Sequence, residues 1–139
     1  LYASLWRTGF ANQPTSVALD DGLALEDCFI TAPVRCAPPA NKPTTDERDR
    51  CLPYLERELA VVPARVFVTL GGFGFQSLCS ILGVRPRPPF SHGVEAALPD
   101  GRWILGSYHV SQQNTFTGTL TEPMFDAVLH RARTLAHLE

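Results

Sequence analysis

The chain has 139 residues, 45% of them hydrophobic and 19% charged, with a net charge of -2. That is enough apolar content for one packed domain (residues 1–139) and too little charge bias for disorder, and any surface for nucleic acid must be local because the protein is not basic overall. No apolar stretch approaches the ~20 residues of a membrane span, and no signal-peptide pattern is visible, so a cytoplasmic protein with no membrane partner is expected.

Taken in order, "LYASLWRTGF" reads as a helix stopped by Gly9, with Leu1, Leu5 and Trp6 near helical spacing and Trp6 expected in the core. It begins as if in mid-helix, which predicts that the chain is the C-terminal portion of something longer. A polar, turn-rich stretch follows, with room for a short strand. "CFITAPV" is β-branched and apolar and predicts a buried strand over Cys28–Val34. Pro38, Pro39 and Pro43 prevent regular structure next. Thr44 or Thr45 then resembles an N-cap, with Asp46 and Glu47 favouring the first turn, although Pro53 suggests a true start near Leu52.

"ARVFVTLGG" predicts a second buried strand over Arg65–Leu70, and the glycines lead into a helix closed by Gly83. A basic, proline-rich connection follows. Two strands around Pro99, Asp100 and Gly101 then predict a hairpin, with Trp103 in the core. A polar loop from Tyr108 to Gly118 precedes a last helix, about Glu122 to His137. The grammar is α/β, predicting a three-layer α/β/α sandwich around a central, mainly parallel sheet.

Two features carry chemistry. The loop "YHVSQQNTFTG" holds uncharged donors and acceptors with one histidine and the aromatic Phe116, a mixture suited to a flat polar ring or a nucleic-acid backbone. Of the four cysteines, Cys28 and Cys79 read as core residues. Cys36 and Cys51 flank the proline-rich loop and invite a metal reading, but no CxxC exists here and two thiolates are half a site. His92 in "FSHG" suits either a phosphate contact or a turn cap, and Arg85 and Arg87 beside it suit phosphate or plain solvent. His130 and His137 read as exposed helix residues.

In this order, "ITAPVRCAPPANKPTTDERDRC", "VFVTLGGFGFQSL", "FSHGVE" and "SYHVSQQNTFTGTLT" resemble the iron–sulfur uracil-DNA glycosylases, the last motif being most similar to the type-5 branch. The resemblance runs from Leu1 to about Ala132. It implies an α/β/α fold and removal of uracil and related deaminated bases from double-stranded DNA by hydrolysis of the N-glycosidic bond. Cys36 and Cys51 match two of four ligands of a 4Fe-4S cluster. His109 matches the histidine that contacts the extruded base. Ser111, Gln112, Gln113 and Asn114 match the loop that enters the minor groove, and Asn41 matches an active-site asparagine. Ala32 stands where type-4 enzymes keep a uracil-reading asparagine, which implies looser base discrimination. The family's other two cluster cysteines and its acidic, Gly-rich motif would lie upstream of Leu1.

The residue types suit that chemistry. Flipping a base costs roughly a few kcal/mol, less at a mismatch, and a loop that fills the vacated space offsets it. Phe116 is available as an apolar wedge. Uracil departs as an anion, and a hydrogen-bond donor such as His109 aimed at its O2 is worth ~3 kcal/mol by analogy with oxyanion donors. The alternative is a catalytically incomplete DNA-binding fragment. A serine hydrolase or P-loop enzyme is disfavoured, since GxSxG, GxxxxGK[ST] and a helix-opening GxGxxG are all missing from the sequence. A monomer is expected.

Overall fold

The computed structural model describes residues 1–32 and 45–138. They fall into two compact units, one of Leu1–Cys28 with Arg65–Glu139 and one of Phe29–Ala64. In chain order the elements are α1 (Tyr2–Arg7), α2 (Thr45–Val61), β1 (Val66–Leu70), α3 (Gly72–Ile81), β2 (Glu95–Ala97), β3 (Trp103–Ser107), α4 (Gln112–Phe116) and α5 (Glu122–Leu135).

The larger unit is built on β3. It pairs in parallel with β1, Val66 opposite Trp103 through Leu70 opposite Ser107, and antiparallel with β2, Glu95 opposite Leu105. The hairpin between β2 and β3 closes where expected: Gly101 N–H donates to the Leu98 carbonyl, and Asp100 accepts from the Arg102 backbone and guanidinium. Side-chain alternation along the strands separates two faces. Val66, Val68 and Leu105 meet Val128 and Ala132 of α5 on one face. On the other, Gly74 of α3 lies against Thr69. Helices therefore cover both faces, as the α/β/α expectation requires, around a small sheet of one parallel and one antiparallel pair.

α5 starts as its sequence dictates. Thr121 caps it by accepting from Met124 N–H, and Glu122 and Pro123 occupy its first turn. It stops at Leu135, short of the expected His137, which itself has φ +59°. Leu129 and Phe125 join Leu5, Phe10, Ala11 and Leu120 in the principal core cluster, where each large side chain contributes roughly 1.5–3 kcal/mol by burial. Arg7 ties α1 to α5 through two hydrogen bonds to Asp126, and that guanidinium holds the Asp126 carboxyl below the usual range.

Several expectations are corrected. Residues 28–32 form no strand: Asp27 turns the chain with φ +54°, and Phe29 and Ile30 are exposed. β-branched content favours a strand only where a neighbour offers a ladder. Val34 lies outside the described residues, as does Thr44. α2 begins at Thr45 and runs through Pro53, which sits well inside it. Trp6 is 49% exposed and Trp103 half-buried, so neither is a core anchor. The polar stretch before α5 contains the short helix α4 where a loop was expected.

Candidate functional site

β1 and β3 run parallel, so both end on the same edge of the sheet, where open α/β sheets place their ligands. Gly71 N–H donates to the Ser107 carbonyl at 2.7 Å and extends the ladder by one step. Gly71 has φ +94°, a conformation glycine adopts without steric cost, and a Cβ there would meet His109 Cβ at 3.3 Å. The first of the two glycines is thus needed for its backbone and for the room it leaves His109.

The backbone on either side of His109 is tied down. Tyr108 N–H donates to His92 Nδ1 at 3.1 Å, and the Tyr108 carbonyl accepts from Ser107 Oγ at 2.9 Å. The His109 carbonyl accepts from Asn114 Nδ2 at 2.9 Å. The His109 side chain itself is exposed, and no hydrogen bond to its ring is made among the described residues. A rigid backbone therefore presents an imidazole whose donors and acceptors are available to a ligand.

The loop divides into residues that build it and residues that face outward. Ser111 caps α4 by accepting from Asn114 N–H at 3.2 Å. Thr115 and Thr117 hydroxyls donate back to backbone carbonyls within the turn. The Asn114 carbonyl accepts from Leu120 N–H at 3.0 Å, and Leu120, only 3% exposed, anchors the loop in the core. Gln112, Gln113 and Phe116 point to solvent, with Phe116 84% exposed. Phe116 is one of several exposed large apolar side chains, Trp6 and Phe29 among them, and it sits on a turn braced at both ends.

His109, Ser111, Gln112, Gln113 and Asn114 are thus brought together in the larger unit. Asn41 and Cys36 lie outside the described residues. Cys51 is buried in α2, in the other unit, where Ala32 is exposed. Among the described residues no group of three or more His, Cys, Asp or Glu side chains is placed to hold a metal. Cys28 is half-buried against the principal core, and burial pushes its thiol up. Cys79 is buried in α3, where desolvation pushes the thiol up and Arg87 only partly offsets it. These apolar surroundings agree with the reading of both as core residues.

Arg85 and Arg87 are exposed, whereas His92 is turned inward, with both ring nitrogens on backbone groups. The phosphate reading of His92 is corrected on that ground. Three roles were not legible in the sequence: the room Gly71 leaves, the bonds of His92 to two backbone groups, and the bracing half of Asn114. Each acts through a backbone group, and "LGG" and "SHG" are too common to signal it.

Residues 1–133 match the family model of the Uracil DNA glycosylase superfamily, and the chain belongs to that superfamily. Within it, the chain is 48% identical over 143 residues to the type-5 uracil-DNA glycosylase of Mycobacterium tuberculosis (strain CDC 1551 / Oshkosh), a match covering 100% of this chain and 53% of the relative. The type-5 uracil-DNA glycosylase of Thermus thermophilus is 46% identical over 140 residues, covering 99% of this chain and 64% of the relative. Similarity to the type-4 uracil-DNA glycosylase of Archaeoglobus fulgidus is narrower, 37% over 68 residues, covering 48% of this chain and 34% of that one. The chain thus spans 53% and 64% of the length of the two type-5 relatives.

Proposed function

We propose that these residues form the base-excising part of a DNA-repair glycosylase that hydrolyses the N-glycosidic bond of uracil and related deaminated bases in double-stranded DNA. The observation that carries this reading is the exposed His109 imidazole, held on a fastened backbone at the ends of two parallel strands beside the outward-facing Gln112, Gln113 and Phe116. The whole-length similarity to type-5 uracil-DNA glycosylases supports it.

In this mechanism the extruded uracil sits against His109. As the glycosidic bond lengthens, negative charge gathers on the base, and an imidazole N–H directed at O2 stabilises it. Neutral imidazole suffices, because only a donor is needed. Phe116 takes the space that the base leaves, which offsets the unstacking cost, and Gln112 and Gln113 meet minor-groove edges. Arg85 and Arg87 serve as phosphate contacts that position the duplex without reading its sequence. Asn41 is assigned to the active site by its place in the resembling motif. The carboxylate that positions water is not assigned to any residue of this chain. The protein acts as a monomer in the cytoplasm.

A 4Fe-4S cluster belongs to the proposal through Cys36 and Cys51, which would supply two thiolates and give the cluster a structural role. No chemical step depends on it. The second reading is DNA binding without base release, which the outward-facing Gln112, Gln113 and Phe116 would serve equally well.

Single-turnover release of uracil from a duplex separates the two. His109→Ala should lower the rate by at least about tenfold while circular dichroism is unchanged. Unchanged release would remove His109 from the chemistry. Tight binding of abasic DNA by a wild-type protein that releases no base would leave only the second reading.

A further inference from the structure

We infer that His92 is a positioning residue for His109, acting as the hydrogen-bond acceptor for the Tyr108 backbone amide; this rests on the glycosylase reading of His109. The turn carrying His92 is fastened directly to β3. Gly93 N–H donates to the Gly106 carbonyl at 2.8 Å, and Gly106 N–H donates to the Val94 carbonyl at 2.9 Å. Gly106 permits this approach, since a Cβ there would lie 2.6 Å from Val94 Cγ1 and 3.1 Å from Phe90. The turn therefore delivers the His92 ring to the point where β3 ends.

The β1–β3 ladder reaches Ser107, whose carbonyl takes Gly71 N–H, and goes no further. Tyr108 N–H is then left without a strand partner, and His92 Nδ1 accepts from it at 3.1 Å. His92 Nε2 lies 3.1 Å from the Met124 carbonyl. An amide only donates and a carbonyl only accepts, so a single neutral tautomer, with the proton on Nε2, meets both demands. Imidazolium would have no lone pair for Tyr108. The ring also packs on Tyr108, centroids 5.0 Å apart, and Phe90 braces Tyr108 from 6.3 Å. Each of these contacts fixes the residue before His109, and small misplacements of a reacting group are costly in rate.

Two isosteric substitutions divide the roles of the ring. In His92→Asn the amide oxygen falls near Nδ1 and keeps the Tyr108 bond, while the reach to Met124 is lost. In His92→Gln the amide nitrogen falls near Nε2 and keeps the Met124 bond, while the Tyr108 acceptor is lost. Single-turnover uracil release, affinity for uracil-containing duplex and nitrogen-15 NMR of the imidazoles would be measured on both variants and on wild type. His92→Gln should lose about tenfold or more in rate with affinity within about twofold of wild type, and His92→Asn should stay within about threefold in both. The NMR spectrum should show His92 as the neutral Nε2–H tautomer, and His109 resonances should move in the Gln variant only.

Equal rate losses in the two variants, or unmoved His109 resonances in His92→Gln, would overturn the inference. So would a loss of affinity rather than rate, which would mark His92 as a phosphate contact. If wild type releases no uracil, the glycosylase reading fails by itself, and the His109 resonances still decide whether His92 positions that ring.

Discussion

Gly71 and Asn114 both bear on His109, one by lacking a side chain and the other by having one. At Gly71 the backbone already sits at φ +94°, where an L side chain is strained, and an added Cβ would lie 3.3 Å from His109 Cβ and 3.5 Å from its Cδ2. Gly71→Ala should therefore destabilise the protein by about 1–2 kcal/mol and, separately, displace His109. A denaturant titration reads the first effect and single-turnover uracil release the second. Release that falls no more than the folded fraction would mean His109 tolerates the intrusion. His109 stood out in the sequence because its motif is specific and its residue type suits leaving-group stabilisation, and the structure leaves it exposed beside the sheet edge. Asn114 was legible only as a loop residue: that its amide reaches back to the His109 carbonyl depends on a turn of helix that has to form first.

That turn, α4, shows what decides short elements. Its five residues, Gln112 to Phe116, have no apolar stripe, and Asn114, Thr115 and Phe116 are weak helix formers beside the two glutamines, so the pattern reads a loop. It forms because Ser111 caps it, Thr115 and Thr117 bond back into it, and Leu120 fixes its exit in the core. The converse holds at residues 28–32, where a strand-like composition finds no partner strand. β1, β3 and α5 were legible, since each pairs a strong apolar pattern with flanking turn or cap residues. α4 places Phe116, 84% exposed, on a braced turn. Phe116→Ala should leave stability within about 0.5 kcal/mol, as expected for a side chain that buries little. If Phe116 fills the space of the flipped base, its loss should slow uracil release more from a U·A pair than from U·G, because a mismatched base already flips at lower cost. Equal slowing in the two duplexes would sink the wedge role and leave Phe116 a general DNA contact.

For the chain as a whole, a net charge of -2 means that no global field draws DNA in, so on the proposed reading recognition would rest on local features: the exposed Arg85 and Arg87 and the loop around His109. The same economy bears on the cluster. A 4Fe-4S centre needs four thiolates, and this chain has four cysteines, so a simple count would assign all of them. The packing argues otherwise. Cys28 and Cys79 lie in apolar surroundings that push their thiols up, which favours Cys36 and Cys51 as the thiolates of the proposed cluster. The prediction concerns the protein expressed from its native reading frame. It should carry roughly four irons and brown iron–sulfur absorbance, both lost in Cys36→Ser and in Cys51→Ser. Cys28→Ala and Cys79→Ala should keep the iron, and the second should lose some stability, because Cys79 is 1% exposed in the core. Iron analysis and the visible spectrum of the four variants make the check. Iron that survives Cys51→Ser would show the ligand assignment to be wrong. Iron lost on replacing Cys79, with the fold intact, would mean that burial has been misjudged as the reason this thiol stays out of the cluster.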